Sequence, residues 1–324
     1  MKARELAYFA LIGFEKEYIE DFFAKIQVSD PRDLKLAKEI AYGTVRRLKT
    51  LEYWAKLLSS EGKLNLKRKE KLLLFSALYQ HVFLNRVPAF AINDETIKLA
   101  KKHFGIRCSQ FINAILRKTE GFSFPMPEDL ETAHSYPAFF IESLRKEYGE
   151  KTEEILKAMN HQPKYFVRDR KLGTSRSVDE SELAKASNEK AVYIQNKTPI
   201  ELLSSLAKDF HPKSILDLCA SPGGKLLHAH DLFPDSEVFA NDVSEMKCRL
   251  LRENLEKYEV EAEVFCGKGE EISFDRKFDL IIVDAPCSNS GVLHKRAEAR
   301  WRLTPENLAK LREQQLAILK NAIR

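Results

Sequence analysis

The sequence predicts an α + α/β protein, with an all-helical N-terminal domain joined to a doubly wound parallel sheet of about four strands. Three observations predict it. Over residues 1–120 the apolar residues recur at helical spacing, with no period-two alternation. From residue 214 onward short apolar runs alternate with amphipathic stretches, the pattern of βαβ units. Between the two, Gly121-Phe-Ser-Phe-Pro-Met-Pro127 breaks the helical pattern, because neither Pro125 nor Pro127 can continue a helix. A chain of 324 residues has room for both parts.

The elements follow in order. Leu6–Phe14 is apolar behind Lys2 and Arg4, which imitates a signal peptide. No small-residue cleavage site follows, and Glu15-Lys-Glu-Tyr18 continues a helical pattern, so the run reads as a helix. Leu36, Ile40, Gly43, Thr44 and Arg47 share one helical stripe. Lys71–Asn85 is strongly apolar and reads as a central helix, followed by helices over 93–102 and 110–118, for five to seven in all. Two short helices are expected over 138–148 and 150–160, then strands over 165–168 and 191–195 in a stretch holding Pro163, Gly173 and many Ser, Lys and Glu. An amphipathic helix over 198–210 leads into the sheet. Strands are predicted over 214–218, 237–241, 262–266 and 279–284, and helices over 225–233, 244–258 and 305–324. Thr304 is placed to cap the last helix, Pro305 fits its first position, and Leu308, Leu311, Ile318, Leu319 and Ala322 form one face. Domain boundaries are expected at 1–122, 123–197 and 198–324.

Overall charge is uninformative, with 53 basic against 48 acidic residues. Its distribution says more: residues 35–71 hold eleven Lys/Arg against four Glu, and 291–324 hold eight against three. Two basic stretches suit an extended polyanion such as RNA, although each alone also reads as solvated helix surface. Five cysteines without CxxC spacing argue against a zinc site and a disulfide framework, hence no metal and a reducing, cytoplasmic compartment. No apolar run approaches the 18 residues of a membrane span.

Two motifs carry chemistry. Asp217-Leu-Cys-Ala-Ser-Pro-Gly-Gly-Lys225 follows a buried strand and opens a helix, bringing backbone N–H groups close to a ligand. It is not a P-loop: Leu226 stands where a Ser or Thr would hold Mg²⁺. Asp242 ends the next strand, the position that hydrogen-bonds a ribose in this architecture. Glycine turn plus ribose carboxylate describes an adenosine-containing cofactor. The second motif, Asp284-Ala-Pro-Cys287, sets a carboxylate, a rigid turn and a thiol at the same sheet edge, followed by the polar Ser-Asn-Ser-Gly291. A thiolate there can add to C6 of a pyrimidine and make C5 nucleophilic, while Asp284 hydrogen-bonds N3 and the exocyclic amine. The plain alternatives are a tight βα turn and a packing cysteine.

With Trp301, the helix Leu311-Arg-Glu-Gln-Gln-Leu-Ala-Ile-Leu319, and the N-terminal Ala41-Tyr-Gly-Thr-Val-Arg-Arg47 and Phe111-Ile-Asn-Ala-Ile-Leu-Arg117, these motifs resemble the bacterial 16S rRNA cytosine-C5 methyltransferases of the Sun/Fmu (RsmB) type, within the NOL1/NOP2/Sun group. The resemblance covers nearly the whole chain. It implies a NusB-like RNA-binding domain, a class I (Rossmann-like) methyltransferase domain, S-adenosyl-L-methionine as cofactor and 16S rRNA as partner. It implies cofactor contacts from Cys219, Ala220, Ser221, Pro222, Gly223, Gly224, Lys225, Asp242 and Asp284, and catalytic roles for Cys287 and Asp284. There are departures. Lys268 stands between Gly267 and Gly269, where the family has an Asp that accepts from adenine. The 163–195 stretch is shorter than the family's RNA-contacting segment. The family's attacking thiol belongs to a Thr-Cys pair, the Pro-Cys thiol serving product release, and this sequence has no Thr-Cys. Because the sequence stops one helix after the second motif, the methyltransferase domain is expected to be incomplete. Two readings stay open: a methyltransferase, or an RNA- and cofactor-binding protein that does not turn over.

Overall fold

The computed structural model describes residues 2–161, 164–206 and 210–324. Pro163 and the expected helical residues 207–209 lie outside them. Helices come first: α1 (Ala3–Gly13), α2 (Ile19–Ala24), α3 (Pro31–Arg46), α4 (Leu48–Leu58), α5 (Arg68–Phe83), α6 (Ala89–Phe104) and α7 (Ile106–Arg117). Three shorter ones follow: α8 (Leu130–His134), α9 (Ala138–Tyr148) and α10 (Thr152–Ala158).

Helix α5 is the axis of this unit. Leu72–Gln80 is buried without interruption, as expected of a helix apolar on all sides. The apolar run behind Arg4 is core helix α1; buried Arg4 donates to Gln80 Oε1 at 2.7 Å and pairs with Glu95 at 2.6 Å. Helix α3 starts where Asp30 accepts from Arg32 N–H at 2.8 Å, with Pro31 in the first position. Its stripe packs on α5 through Gly43: a Cβ there would lie 1.9 Å from Cζ of Tyr79. The Tyr79 ring is held there by its hydroxyl, which donates to Glu39 at 2.5 Å, and by stacking on Phe83.

The second unit opens with an antiparallel sheet of order β2-β1-β3, formed by β1 (Tyr165–Asp169), β2 (Ser175–Val178) and β3 (Val192–Ile194), with α11 (Glu180–Ala186) between the last two. After α12 (Lys197–Leu206) comes the parallel sheet: β4 (Ser214–Asp217), α13 (Gly224–Leu232), β5 (Glu237–Asp242), α14 (Glu245–Lys257), β6 (Glu263–Cys266) and β7 (Leu280–Ile282). Its order is β6-β5-β4-β7, all parallel. Helix α15 (Pro305–Ile323) begins where Thr304 Oγ1 accepts from Asn307 N–H at 3.2 Å.

Domain limits follow contacts that residue patterns do not display. One compact unit runs to residue 161 and takes back 288–307; the other holds 164–287 and 308–324. Residues 123–161, expected as connector, join the helical unit: Trp54 Nε1 donates to Pro125 O at 2.7 Å, and Thr50 Oγ1 to Thr132 O at 2.6 Å. Residues 164–197 join the sheet unit. Strand β2 and helix α11 were not predicted, since Ser175-Arg-Ser-Val178 is too short and polar to stand out. The single apolar face expected of α15 is buried only at Ile318, while Leu308 and Leu319 are exposed.

Gly43→Ala should destabilise the helical unit by roughly 1–3 kcal/mol or more through overpacking against Tyr79, read from urea denaturation. Strand β7 pairs only with β4 among the described residues, so amides of 280–282 should exchange faster than those of 215–217.

Candidate active site

Strand β4 ends at buried Asp217, and the chain turns through Leu218–Gly223 into α13. Gly223 has φ of +108°, a conformation that favours glycine, and a Cβ there would lie 2.9 Å from Leu251 Cδ1. At Gly224 a Cβ would meet Tyr193 Cε1 at 2.7 Å, so this glycine lets β3 pack on the start of α13. The small sheet is fastened to the same helix by charge. Arg168, fully buried, pairs with Asp231 at 2.7 Å, and Arg170 donates to Asp231 through Nε at 3.1 Å and Nη2 at 2.8 Å. Burial pushes the Asp231 carboxyl up, but His230, Arg170 and Arg168 outweigh it and hold it at about 2.

At the end of β5, Asp242 is 4% exposed. Its Oδ2 accepts from Ser221 N–H at 3.0 Å, and its Oδ1 from Val243 N–H at 2.7 Å and the Lys247 ammonium at 3.2 Å. Asp242 therefore braces the glycine turn. Each carboxylate oxygen offers about two acceptor positions, so capacity for a ligand hydroxyl remains. Asn241 beside it is a residue that sequence reasoning missed. It is fully buried, and its Nδ2 donates to Leu218 O and Gly267 O, both at 3.0 Å. An Asn closing the apolar run Val238-Phe239-Ala240 was the available signal. Its amide joins the turns after β4 and β6.

The Asp284 carboxylate pairs with Lys225, which brings the two motifs together. Gln315 Nε2 donates to Pro286 O at 2.8 Å, holding the peptide before Cys287, and Asn321 Nδ2 donates to Gly269 O at 2.9 Å and Ile272 O at 2.7 Å. Helix α15 thus fastens two loops of this edge. Cys287 is exposed. Cys219 differs: burial, then the carboxylates of Asp217 and Asp242, push its thiol up to about 12, so it stays protonated. Lys268 is exposed and pairs with Glu271 at 2.8 Å. No group of three or more His, Cys, Asp or Glu among the described residues is arranged to hold a metal.

A glycine turn after the first strand, an acidic residue ending the second and an Asp-Ala-Pro-Cys turn after the fourth, on a sheet of order β6-β5-β4-β7, define a class I methyltransferase domain. Residues 205–324 match the family described as 16S rRNA methyltransferase RsmB/F, and residues 1–120 match the NusB family. Ribosomal RNA small subunit methyltransferase B of Vibrio cholerae is 29% identical over 322 residues, covering 89% of this chain and 74% of that one. The protein of that name from Klebsiella pneumoniae is 28% identical over 329 residues, covering 92% and 76%. The crystal structure of PH0851 superposes with a TM-score of 0.76 at 18% identity, over 99% of this chain and 82% of that one, which shows a shared fold. The chain therefore carries a domain similar to the RsmB/F family of 16S rRNA methyltransferases behind a helical domain similar to the NusB family.

Burial pushes the Asp217 carboxyl up to about 7, against the pull of Lys225 and of the Cys219 N–H. An unfolded Asp titrates near ~3.9. Between these values the folded protein holds a proton that the unfolded chain has lost, so stability falls as pH rises from about 4 to about 7 and then levels. Asp217→Asn should remove that component, which urea titrations at pH 5 and pH 8 would read as a smaller difference than in wild type.

Proposed function

We propose that this protein binds S-adenosyl-L-methionine at Cys219–Lys225 and Asp242, and that the methyl group passes to C5 of a cytosine in 16S rRNA. The observation that carries the reading is the pairing of the two motifs on one sheet edge through Lys225 and Asp284. The residues fit the cofactor at its ribose, where Asp242 stands at the strand end beside the glycine turn. They fit less well at the adenine, where Lys268 has no acceptor to offer and Glu271 is engaged by it. The cofactor supplies an electrophilic methyl group. The chain supplies the thiol and carboxylate that act on the base. Cys219 is held as a thiol, so exposed Cys287 is the cysteine assigned to catalysis, with Asp284 beside it. Thiolate addition to C6 makes C5 nucleophilic; after methyl transfer the C5 proton leaves and the S–C6 bond breaks, restoring the thiolate. The basic stretch 35–71 and the NusB-family match support an RNA partner, and the cytoplasm is the matching compartment.

A second reading, binding without methyl transfer by Cys287, is favoured by one observation: Cys287 stands in an Asp-Ala-Pro-Cys turn and not in the Thr-Cys pair to which the resemblance assigns the attack.

Calorimetry should detect cofactor binding, and Asp242→Asn should weaken it by roughly 1.5–3 kcal/mol, the range for a hydrogen bond to a charged group. Labelled methyl should enter 16S rRNA with wild type and not with Cys287→Ala. With 5-fluorocytosine in the RNA, a covalent adduct mapped to Cys287 would make it the attacking thiol. Cofactor binding with neither label transfer nor adduct selects the second reading.

A further inference from the structure

Two concavities among the described residues of the helical unit differ in character. The first, about 280 Å³, is charge-balanced: Arg68 pairs with Glu15 at 2.8 Å and Lys71 with Glu52 at 3.1 Å. The second, about 370 Å³, falls within the ~300–1,000 Å³ range of small-ligand sites and is lined by Arg47, Trp54, His81, Phe83, Phe124 and Met126 among others. Its one cation at full charge, Arg47, has no carboxylate partner among the described residues. The groups acting on its charge are Arg46, which disfavours it, and the hydroxyls of Tyr136 and Tyr79. Its guanidinium carbon lies 5.5 Å from the Phe83 ring centroid. A half-buried cation beside an aromatic ring and a second cation has given up water without gaining a counter-charge among the described residues, so an anion brought to it is favoured.

The rest of the concavity is aromatic and open. Phe83 is 38% exposed and Met126 56%. Phe83 is held by Tyr79, stacked at 5.1 Å and 27°, and Phe124 by Trp54 at 5.3 Å and 76°. These rings are fixed platforms and need no ordering on binding. A cation beside rigid ring faces matches one phosphate and the base attached to it. Arg47 also lies within the basic stretch 35–71 that the sequence marks for a polyanion.

We propose that this concavity takes a single unpaired nucleotide of the RNA, phosphate on Arg47 and base against Phe83. The inference rests on RNA as the partner of the helical unit and assigns that contact a place. A duplex keeps its bases stacked on one another, so the site selects single strand.

The test uses the full chain and a fluorescent ten-nucleotide single-stranded RNA, read by anisotropy across a salt series. Arg47→Gln should weaken binding about tenfold and lower the salt slope by roughly 0.7, one phosphate contact on single strand. Phe83→Leu should weaken binding roughly fivefold or more while leaving the slope unchanged, because stacking carries no charge. Arg68→Gln, in the charge-balanced concavity, should bind as wild type. A duplex of the same sequence and free nucleoside monophosphates should bind more weakly. A 5-iodouridine strand crosslinked to wild type should map to the concavity, a readout that needs no variant to fold. Wild-type binding with an unchanged slope in Arg47→Gln, a crosslink elsewhere, or equal displacement by an acidic peptide overturns the nucleotide site and leaves RNA binding standing. Wild type that binds no RNA at low salt overturns the RNA reading itself.

Discussion

The edge that carries the candidate site depends on how polar groups at the ends of buried parallel strands are satisfied. Strands β4 and β5 end in an apolar interior, where unpaired backbone groups are costly. Two adjacent side chains meet that demand. The Asn241 amide bridges Leu218 O and Gly267 O, and the Asp242 carboxylate accepts from Ser221 and Val243. The backbone adds Ala220 N–H to Asn241 O at 2.8 Å and Gly267 N–H to Asp242 O at 3.0 Å. Three loops are thereby set in one place before any ligand arrives, which is the preorganisation that a binding site requires.

A second constraint acts in the helical unit. The stretch after Cys287 belongs to that unit's core rather than to a loop of the sheet. Arg300 is fully buried there, donating to Asn160 Oδ1 at 2.9 Å, Arg46 O at 3.1 Å and Ala297 O at 3.0 Å, with its guanidinium carbon 4.1 Å from the Tyr136 ring centroid. Trp301 Nε1 donates to Val45 O at 3.0 Å, and buried Glu298 accepts from Ile19 N–H at 2.9 Å. Burial pulls the Arg300 guanidinium down to about 10: the carbonyls and the ring offset only part of its desolvation, and among the described residues it makes no ion pair with a carboxylate. Trp301, one of the residues that carried the family resemblance, is thus a packing residue of the helical unit. The basic excess counted over 291–324 includes a cation that never meets solvent.

Much of the architecture was legible because it is written in periodicity. The four parallel strands, α13, α14 and α15, and the central α5 each follow from local pattern, and the glycine turn and Asp242 follow from residue type at a strand end. Asp284 and Lys225 each stand out in their own motif, yet their pairing does not: an ion pair between positions 59 apart has no local signature. Asn241 was missed because one polar residue in a strand looks like a flaw in an apolar run until the two carbonyls it bridges are seen.

By itself the sequence determined what depends on neighbours in the chain: helix and strand periods, caps, turns, and the order of motifs along the sheet. Tertiary structure alone decided what depends on neighbours in space. It sent 123–161 and 288–307 to the helical unit, buried Arg300, left Leu308 and Leu319 of α15 exposed, and put Arg47 in an aromatic concavity with no carboxylate partner among the described residues. The physical reason is the same in each case. Burial and pairing energies depend on distances of a few ångströms between residues far apart in sequence, and composition and spacing carry no measure of those distances.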